Sequence, residues 1–273
     1  MSRRVLLRGG AAAGALLGLA ACGTGQPSTP PVIAPPAPAA PPAPADPSAP
    51  DPDSGQAAAP TGSASPGPAL GPPGGPATEL IRAHTGRPEV ALTFHGAGAN
   101  ALDRKVLEAL AKGGAQVTVL AIGTWLVQDP NAAKMVLDLG HELGNHTWSH
   151  RDMAKLSVTQ QREEIVRCRD RIAELTGQPG AWFRQSQAQY PTKELLKLAG
   201  AAGYPRVLSY DIDSLDYTNP GVAKIASQLK KATAGSVVSM HLGHPGTLAA
   251  IPKILADLEK RGLKAVTATQ LFT

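Results

Sequence analysis

The chain has 273 residues and a net charge of +5, with 26 Lys and Arg against 21 Asp and Glu, and it holds two cysteines. So few cysteines exclude a disulfide-built scaffold. The small positive excess is spread out, without basic clusters interleaved with aromatics, which excludes a nucleic-acid-binding surface.

Residues 1–22 read as a targeting segment, because Arg3 and Arg4 precede an uncharged run of Ala, Gly and Leu too short to span a bilayer. Ser2-Arg3-Arg4-Val5-Leu6-Leu7-Arg8 resembles a twin-arginine export signal. Leu19-Ala20-Ala21-Cys22 resembles a lipobox. Together they predict an exported protein lipidated at Cys22 and anchored to the bacterial cell membrane, facing the wall or periplasm. Cys168 is then left alone, as a packing residue on a helix. Residues 23–77 form a Pro/Ala/Gly-rich linker; from Gln26 to Ala77 the chain carries 18 of its 26 prolines and neither Lys nor Arg. Such a stretch builds no core and is read as a disordered tether. The remaining residues, 78–273, suffice for one domain with its own core and carry 23 basic against 18 acidic residues.

Within that domain, short apolar or β-branched runs alternate with helical patterns. Strands are predicted at Val90–Phe94, Val117–Ile122, Glu142–Asn145, Ala181–Phe183, Arg206–Tyr210, Ser236–His241 and Ala265–Thr267. Helices are predicted at Ala101–Lys112, Pro130–Leu139, Val158–Leu175, Thr192–Ala201, Val222–Ala232 and Leu248–Arg261. The third helix is the best punctuated, with a capping box at Ser157 and Gln160 and a stop at Thr176-Gly177. Strict alternation implies an α/β fold of parallel strands with right-handed crossovers. Polar residues fall at the strand ends: His95, His146, Arg184, Asp211 with Asp213, and His241. A closed barrel would gather them at one mouth. His95-Gly96-Ala97-Gly98 lacks the GxGxxG spacing of an open nucleotide-binding sheet. Nothing resembles a coiled coil or a long apolar edge, so a monomer is expected.

The chemistry is concentrated in His146-Thr147-Trp148-Ser149-His150, answered by Ser239-Met240-His241. Two imidazoles four residues apart can reach one metal ion, and a separate His can carry a proton. With the neighbouring residues, this order of motifs resembles the polysaccharide deacetylase family, the NodB-homology group of carbohydrate esterases, over nearly all of Val90–Phe272. His141-Glu142-Leu143-Gly144-Asn145-His146-Thr147-Trp148-Ser149-His150 is similar to that family's GHEIGNHTxSH text, and Trp182-Phe183-Arg184 to its FR motif. Tyr210 to Tyr217 is similar to its DxDSxDW segment, and Ser236 to His241 to its strand ending in LxH.

The resemblance implies a distorted (β/α)7 barrel of about seven strands, a divalent metal, zinc-like, and removal of acetyl groups from N-acetylated glycans such as peptidoglycan or chitin. It further implies that His146 and His150 bind the metal and that His241 protonates the departing amine. Asp213 or Asp216 would orient the His241 imidazole, and Arg184 would sit beside the base.

The first motif departs from the family's TFDDGP, reading Thr93-Phe94-His95-Gly96-Ala97-Gly98. Both carboxylates are replaced by His-Gly. One expectation is a three-His metal site that includes His95, with water activated by the ion or by a carboxylate from elsewhere. The alternative is a wall-tethered glycan-binding domain without turnover; a periplasmic metal carrier is a third reading, which the ordered later motifs oppose. After Arg184 the family's Pro and aromatic-Gly pair is replaced by Gln185-Ser186-Gln187-Ala188-Gln189. Asp103 is read as an acid in the first turn of a helix capped near Asn100, Asp152 as a solvated loop acid, and His244 as a loop residue at the mouth.

Overall fold

A computed structural model describes residues 74–273; the predicted targeting segment and all but the last four residues of the predicted linker lie outside the described residues. Packing begins inside those four. Ala77 is buried and its N–H donates to Leu196 O at 2.8 Å.

Eight strands and eight α-helices follow: β1 Thr78–Leu80, β2 Glu89–Gly96, α1 Asn100–Lys112, β3 Thr118–Ala121, α2 Gly123–Gln128, α3 Asn131–Asp138, β4 Glu142–Asn145, α4 Val158–Thr176, α5 Lys193–Ala201, β5 Arg206–Leu208, β6 Ile212–Asp213, α6 Val222–Leu229, β7 Val237–His241, α7 Pro245–Lys260, β8 Lys264–Val266 and α8 Ala268–Phe272. Single-turn 3-10 helices lie at Met153–Lys155 and Asp216–Thr218. Every strand ladder is parallel, in the order β4-β3-β2-β7-β6, with β8 on the first half of β2 and β1 paired to β5. Isolated bridges join the two sets: Phe183 links Asn145 to Val207, and Arg82 meets Ser236. The strands thus form a ring held at two places by single residues, a distorted barrel.

The expected strand at Ala181–Phe183 is reduced to that bridge, because Gly180 at φ +76° and the chain turn after Arg184 leave Phe183 alone in register. Two short strands, β1 and β6, and two short helices, α2 and α8, were not expected. Their length explains this, since two to six residues are too few to establish a pattern. Helix α4 matches the expected punctuation. Ser157 Oγ accepts from Gln160 N, the Gln160 side chain accepts from Ser157 N at 3.0 Å, and Gly177 closes the helix at φ +76°. Helix α7 starts three residues before its expected first turn, with Pro245 at the first helical position, where the missing N–H is harmless.

Strand alternation sorts the barrel's two faces. On β2, Val90, Leu92 and Phe94 join the main core against the surrounding helices, while Ala91, Thr93 and His95 point the other way. On β7, Val238 and Met240 face the helices, and Val237, Ser239 and His241 face inward. The inner face is therefore apolar at the strand starts and polar at their C-terminal ends. Among the described residues no helix is long and apolar enough to cross a membrane.

Candidate metal centre

Register brings the first two imidazoles together. His95 on β2 pairs with His241 on β7, and their rings lie 4.4 Å apart, edge to face. His146 follows β4 directly, its N–H on Ala121 O at 2.8 Å, and its ring lies 4.2 Å from His95. His150 closes the group at 4.9 Å from His146. One nitrogen from each of His95, His146 and His150 lies within 4.8 Å of the other two.

The loop carrying His146 and His150 is bent into this shape and held there. Thr147 and His150 adopt left-handed backbone, φ 69° and 57°, a conformation that L residues with a Cβ enter only under constraint. The constraints are visible. Asn145 Oδ1 accepts from Thr147 N at 2.9 Å, and buried Glu164 on α4 accepts from Ser149 N at 2.8 Å and from its hydroxyl at 2.6 Å. From the loop after Arg184, Gln187 Nε2 donates to His150 O at 3.1 Å, and Ser186 Oγ donates to Arg151 O. Ser186 and Gln187 therefore brace the histidine loop.

The donor set suits a divalent cation. His146 Nδ1 lies 3.1 Å from Arg184 O and donates to it, which leaves Nε2 as a lone pair that is fully buried and without a partner. A backbone carbonyl behind a ligating imidazole is the usual way of aiming it. Burial, reinforced by neighbouring imidazoles, lowers the pKa of His95, His146 and His150, so all three rings are neutral.

His241 has its own partner. Its Nδ1 meets Asp216 Oδ1 at 2.7 Å, and its backbone N–H donates to Asp216 Oδ2 at 2.9 Å. Thr247 Oγ1 donates to the same Oδ2 at 2.7 Å. Burial alone would raise the Asp216 pKa, but the His241 imidazole and these donors outweigh it and hold the carboxyl below its usual range. Of the two acids expected near His241, Asp216 makes the contact. Asp213 instead accepts from Leu215 N at 2.9 Å, and its charge reaches Arg184.

Arg184 is wholly buried. Its Nε donates to Leu208 O at 2.6 Å, Nη2 to Ser209 O at 3.3 Å, and Nη1 to Thr93 Oγ1 at 3.0 Å and to His95 Nε2 at 3.2 Å. Burial lowers its pKa to about 9, against the favourable influence of Tyr210 and Asp213. It stays charged at neutral pH.

Around the centre, His244 caps α7, 6.1 Å from His241 and with Nδ1 3.3 Å from Asn219 Oδ1, while Tyr217 packs at 5.0 Å on His241. Asp152 caps a 3-10 turn and pairs with Lys155, outside the cluster. Cys168 is buried on α4 with its thiol on Ala121 O, and burial raises its pKa. Asp211 supports β7 through Val237 N at 2.8 Å and takes no part in the cluster. Thr93 and Ser239 lie inside the motifs but carry no role there by sequence, and Thr247 and Glu164 lie outside them. The inward polar positions of β2 and β7 were the signal for the first two.

Relatives carry the same frame. The polysaccharide deacetylase profile matches residues 82–207. A peptidoglycan-N-acetylglucosamine deacetylase of Bacillus cereus (strain ATCC 14579) is 33% identical over 188 residues, covering 67% of this chain and 87% of that protein. The chain belongs to the polysaccharide deacetylase family. The peptidoglycan-N-acetylglucosamine deacetylase PgdA of Listeria monocytogenes is 26% identical over 196 residues; 71% of this chain spans only 41% of that longer family member. Among solved structures of the family, the carbohydrate esterase family 4 pseudoenzyme BA3943 of Bacillus anthracis superposes with a TM-score of 0.67 at 26% identity, over 71% of this chain and 68% of that one. A mutant of it with restored enzymatic activity superposes equally well. The family thus holds both deacetylases and a member without activity on one fold.

Proposed function

We propose that this protein is a metal-dependent hydrolase that removes acetyl groups from an N-acetylated cell-wall glycan, exported and held at the membrane by lipid on Cys22. The observation that carries the reading is the buried, unpartnered Nε2 of His146, aimed beside His150 and a short step from the His241–Asp216 pair. His146 and His150 would hold the cation. When bound, it would polarise the acetamide carbonyl and acidify water. Asp216 accepts the Nδ1 proton of His241 and fixes its tautomer, so Nε2 is the nitrogen that protonates the departing amine. Tyr217 beside His241 supplies an aromatic face to the glycan.

One observation favours a second reading, glycan binding without turnover. Positions 95 and 96 carry no carboxylate, so the first motif holds no anionic base.

The full chain, with and without a chelator, decides between them in an assay of acetate release from chitin oligomers and peptidoglycan. The expected result is chelator-sensitive release that falls about 100-fold or more in Asp216→Asn and His241→Ala. Saturable glycan binding with no acetate from any substrate would establish the second reading. Release that survives His150→Ala would remove the metal from the chemistry. Loss of palmitate labelling in Cys22→Ser tests the anchor.

A further inference from the structure

Three neighbouring imidazoles suggest three ligands, but a neutral imidazole has one lone pair, and that of His95 is already engaged. Arg184 Nη1 has two hydrogens. One goes to Thr93 Oγ1 at 3.0 Å, whose own proton goes to Val238 O at 2.7 Å; the other goes to His95 Nε2 at 3.2 Å. A guanidinium has no acceptor atom, so His95 Nε2 must be the unprotonated nitrogen and Nδ1 carries the ring proton. Ser239 Oγ, 3.4 Å from the same Nε2, adds a second donor, a hydroxyl, on that side.

Arg184 cannot turn away without leaving acceptors unpaired. It is buried, and its other nitrogens hold Leu208 O and Ser209 O. If Nδ1 were to ligate instead, the proton would move to Nε2 and face the arginine N–H, donor against donor.

Ring geometry agrees. Two imidazoles sharing one tetrahedral ion, with metal–nitrogen bonds near 2 Å, hold their centroids about 5 Å apart. His146 and His150 lie at 4.9 Å. His95 and His146 lie at 4.2 Å with planes only 37° apart, a packing contact between ring faces.

We propose that the chain holds its cation with two protein ligands, His146 and His150, and that His95 is a positioning residue whose Nε2 anchors Arg184. This inference rests on the metal-dependent reading above. Arg184 then sets both histidines: its carbonyl takes the Nδ1 proton of His146 and so frees that ring's Nε2, while its guanidinium occupies the Nε2 of His95. The remaining coordination positions would be left to water and to glycan oxygens.

Cobalt(II) binding to the full chain, measured by equilibrium dialysis and by visible absorption, tests this. His146→Gln and His150→Gln are expected to weaken binding about 100-fold, and His95→Gln by no more than about threefold with an unchanged absorption spectrum. Weakening by His95→Gln equal to that of His150→Gln, with a changed spectrum, would overturn the proposal. Nitrogen-15 NMR of histidine-labelled wild-type chain gives the answer without a variant. His95 is expected as the Nδ1-protonated tautomer with both nitrogen shifts unmoved by added zinc, whereas His146 and His150 shift. A zinc-dependent shift at a His95 nitrogen matching theirs would overturn it too. A wild-type chain that binds no cobalt at all overturns the metal-dependent reading, and this inference with it.

Discussion

Asp103 shows how far a single residue's role depends on what folds over it. As expected it lies in the first turn of α1, yet Ala99 rather than Asn100 is the cap residue, and the carboxyl is buried. Its Oδ1 accepts from Gly243 N at 2.7 Å, so it ties the start of α1 to the loop after β7. Gly98 is required there, because a Cβ would stand 2.5 Å from both Asp103 Oδ1 and Gly243 Cα. Burial raises the Asp103 pKa to about 6, with the Gly243 N–H opposing. The native state therefore holds this proton more tightly than the unfolded chain does. The group's contribution to stability is fully present below about pH 4 and is lost as pH rises through 6. Asp103→Asn keeps an acceptor for Gly243 and carries no charge. Its urea midpoint relative to wild type is expected to rise between pH 4 and 6 and then level off; a flat difference would refute the burial account. The sequence marked Asp103 only as a helix acid, since Gly243 lies 140 residues away.

At the scale of elements, local chemistry was read well wherever it is self-contained. The capping box of α4 needs only Ser157 and Gln160, and both bonds form. Ser157→Ala is expected to lower stability by about 1 kcal/mol, seen as a lower urea midpoint with an unchanged slope. Because α4 also carries Glu164, which holds Ser149, fraying of the helix should loosen the His150 loop as well; faster amide exchange at Ser149 in that variant checks the link. What local patterns could not give was the bracing of that loop by Ser186 and Gln187. Those side chains read as loop polars. They become braces only because Phe183 bridges to Asn145 and brings the next residues against Arg151 and His150.

At the scale of the whole molecule, the strand starts are plugged by α8. Leu271 and Ala268 pack with Ala91, Leu120, Trp182, Val237 and Val266 inside the barrel. Glu142 collects Thr118 Oγ1 at 2.7 Å, Trp182 Nε1 at 3.1 Å and Thr269 N at 3.2 Å beside them. Leu271→Ala is expected to cost about 2–4 kcal/mol, because the last helix is held by a few apolar anchors and the barrel walls cannot collapse into the space. Denaturant unfolding measures it, and a loss below about 1 kcal/mol would mean that α8 is not part of the cooperative core.

The sequence by itself determined the alternation of strands and helices, the parallel sheet, the clustering of chemistry at strand ends and the family. These follow from periodicity and from contiguous motifs. Only the tertiary structure decided that Asp216 rather than Asp213 meets His241, that Asp103 joins α1 to the loop after β7, and that Arg184 frees one histidine while occupying another. Each depends on which hydrogen-bond partner lies opposite, and here the partners lie 25 to 140 residues apart, as with His241 and Asp216 or Gly243 and Asp103. Hydrogen bonds are directional and short, so strand register, rather than residue type, sets which lone pairs remain for chemistry.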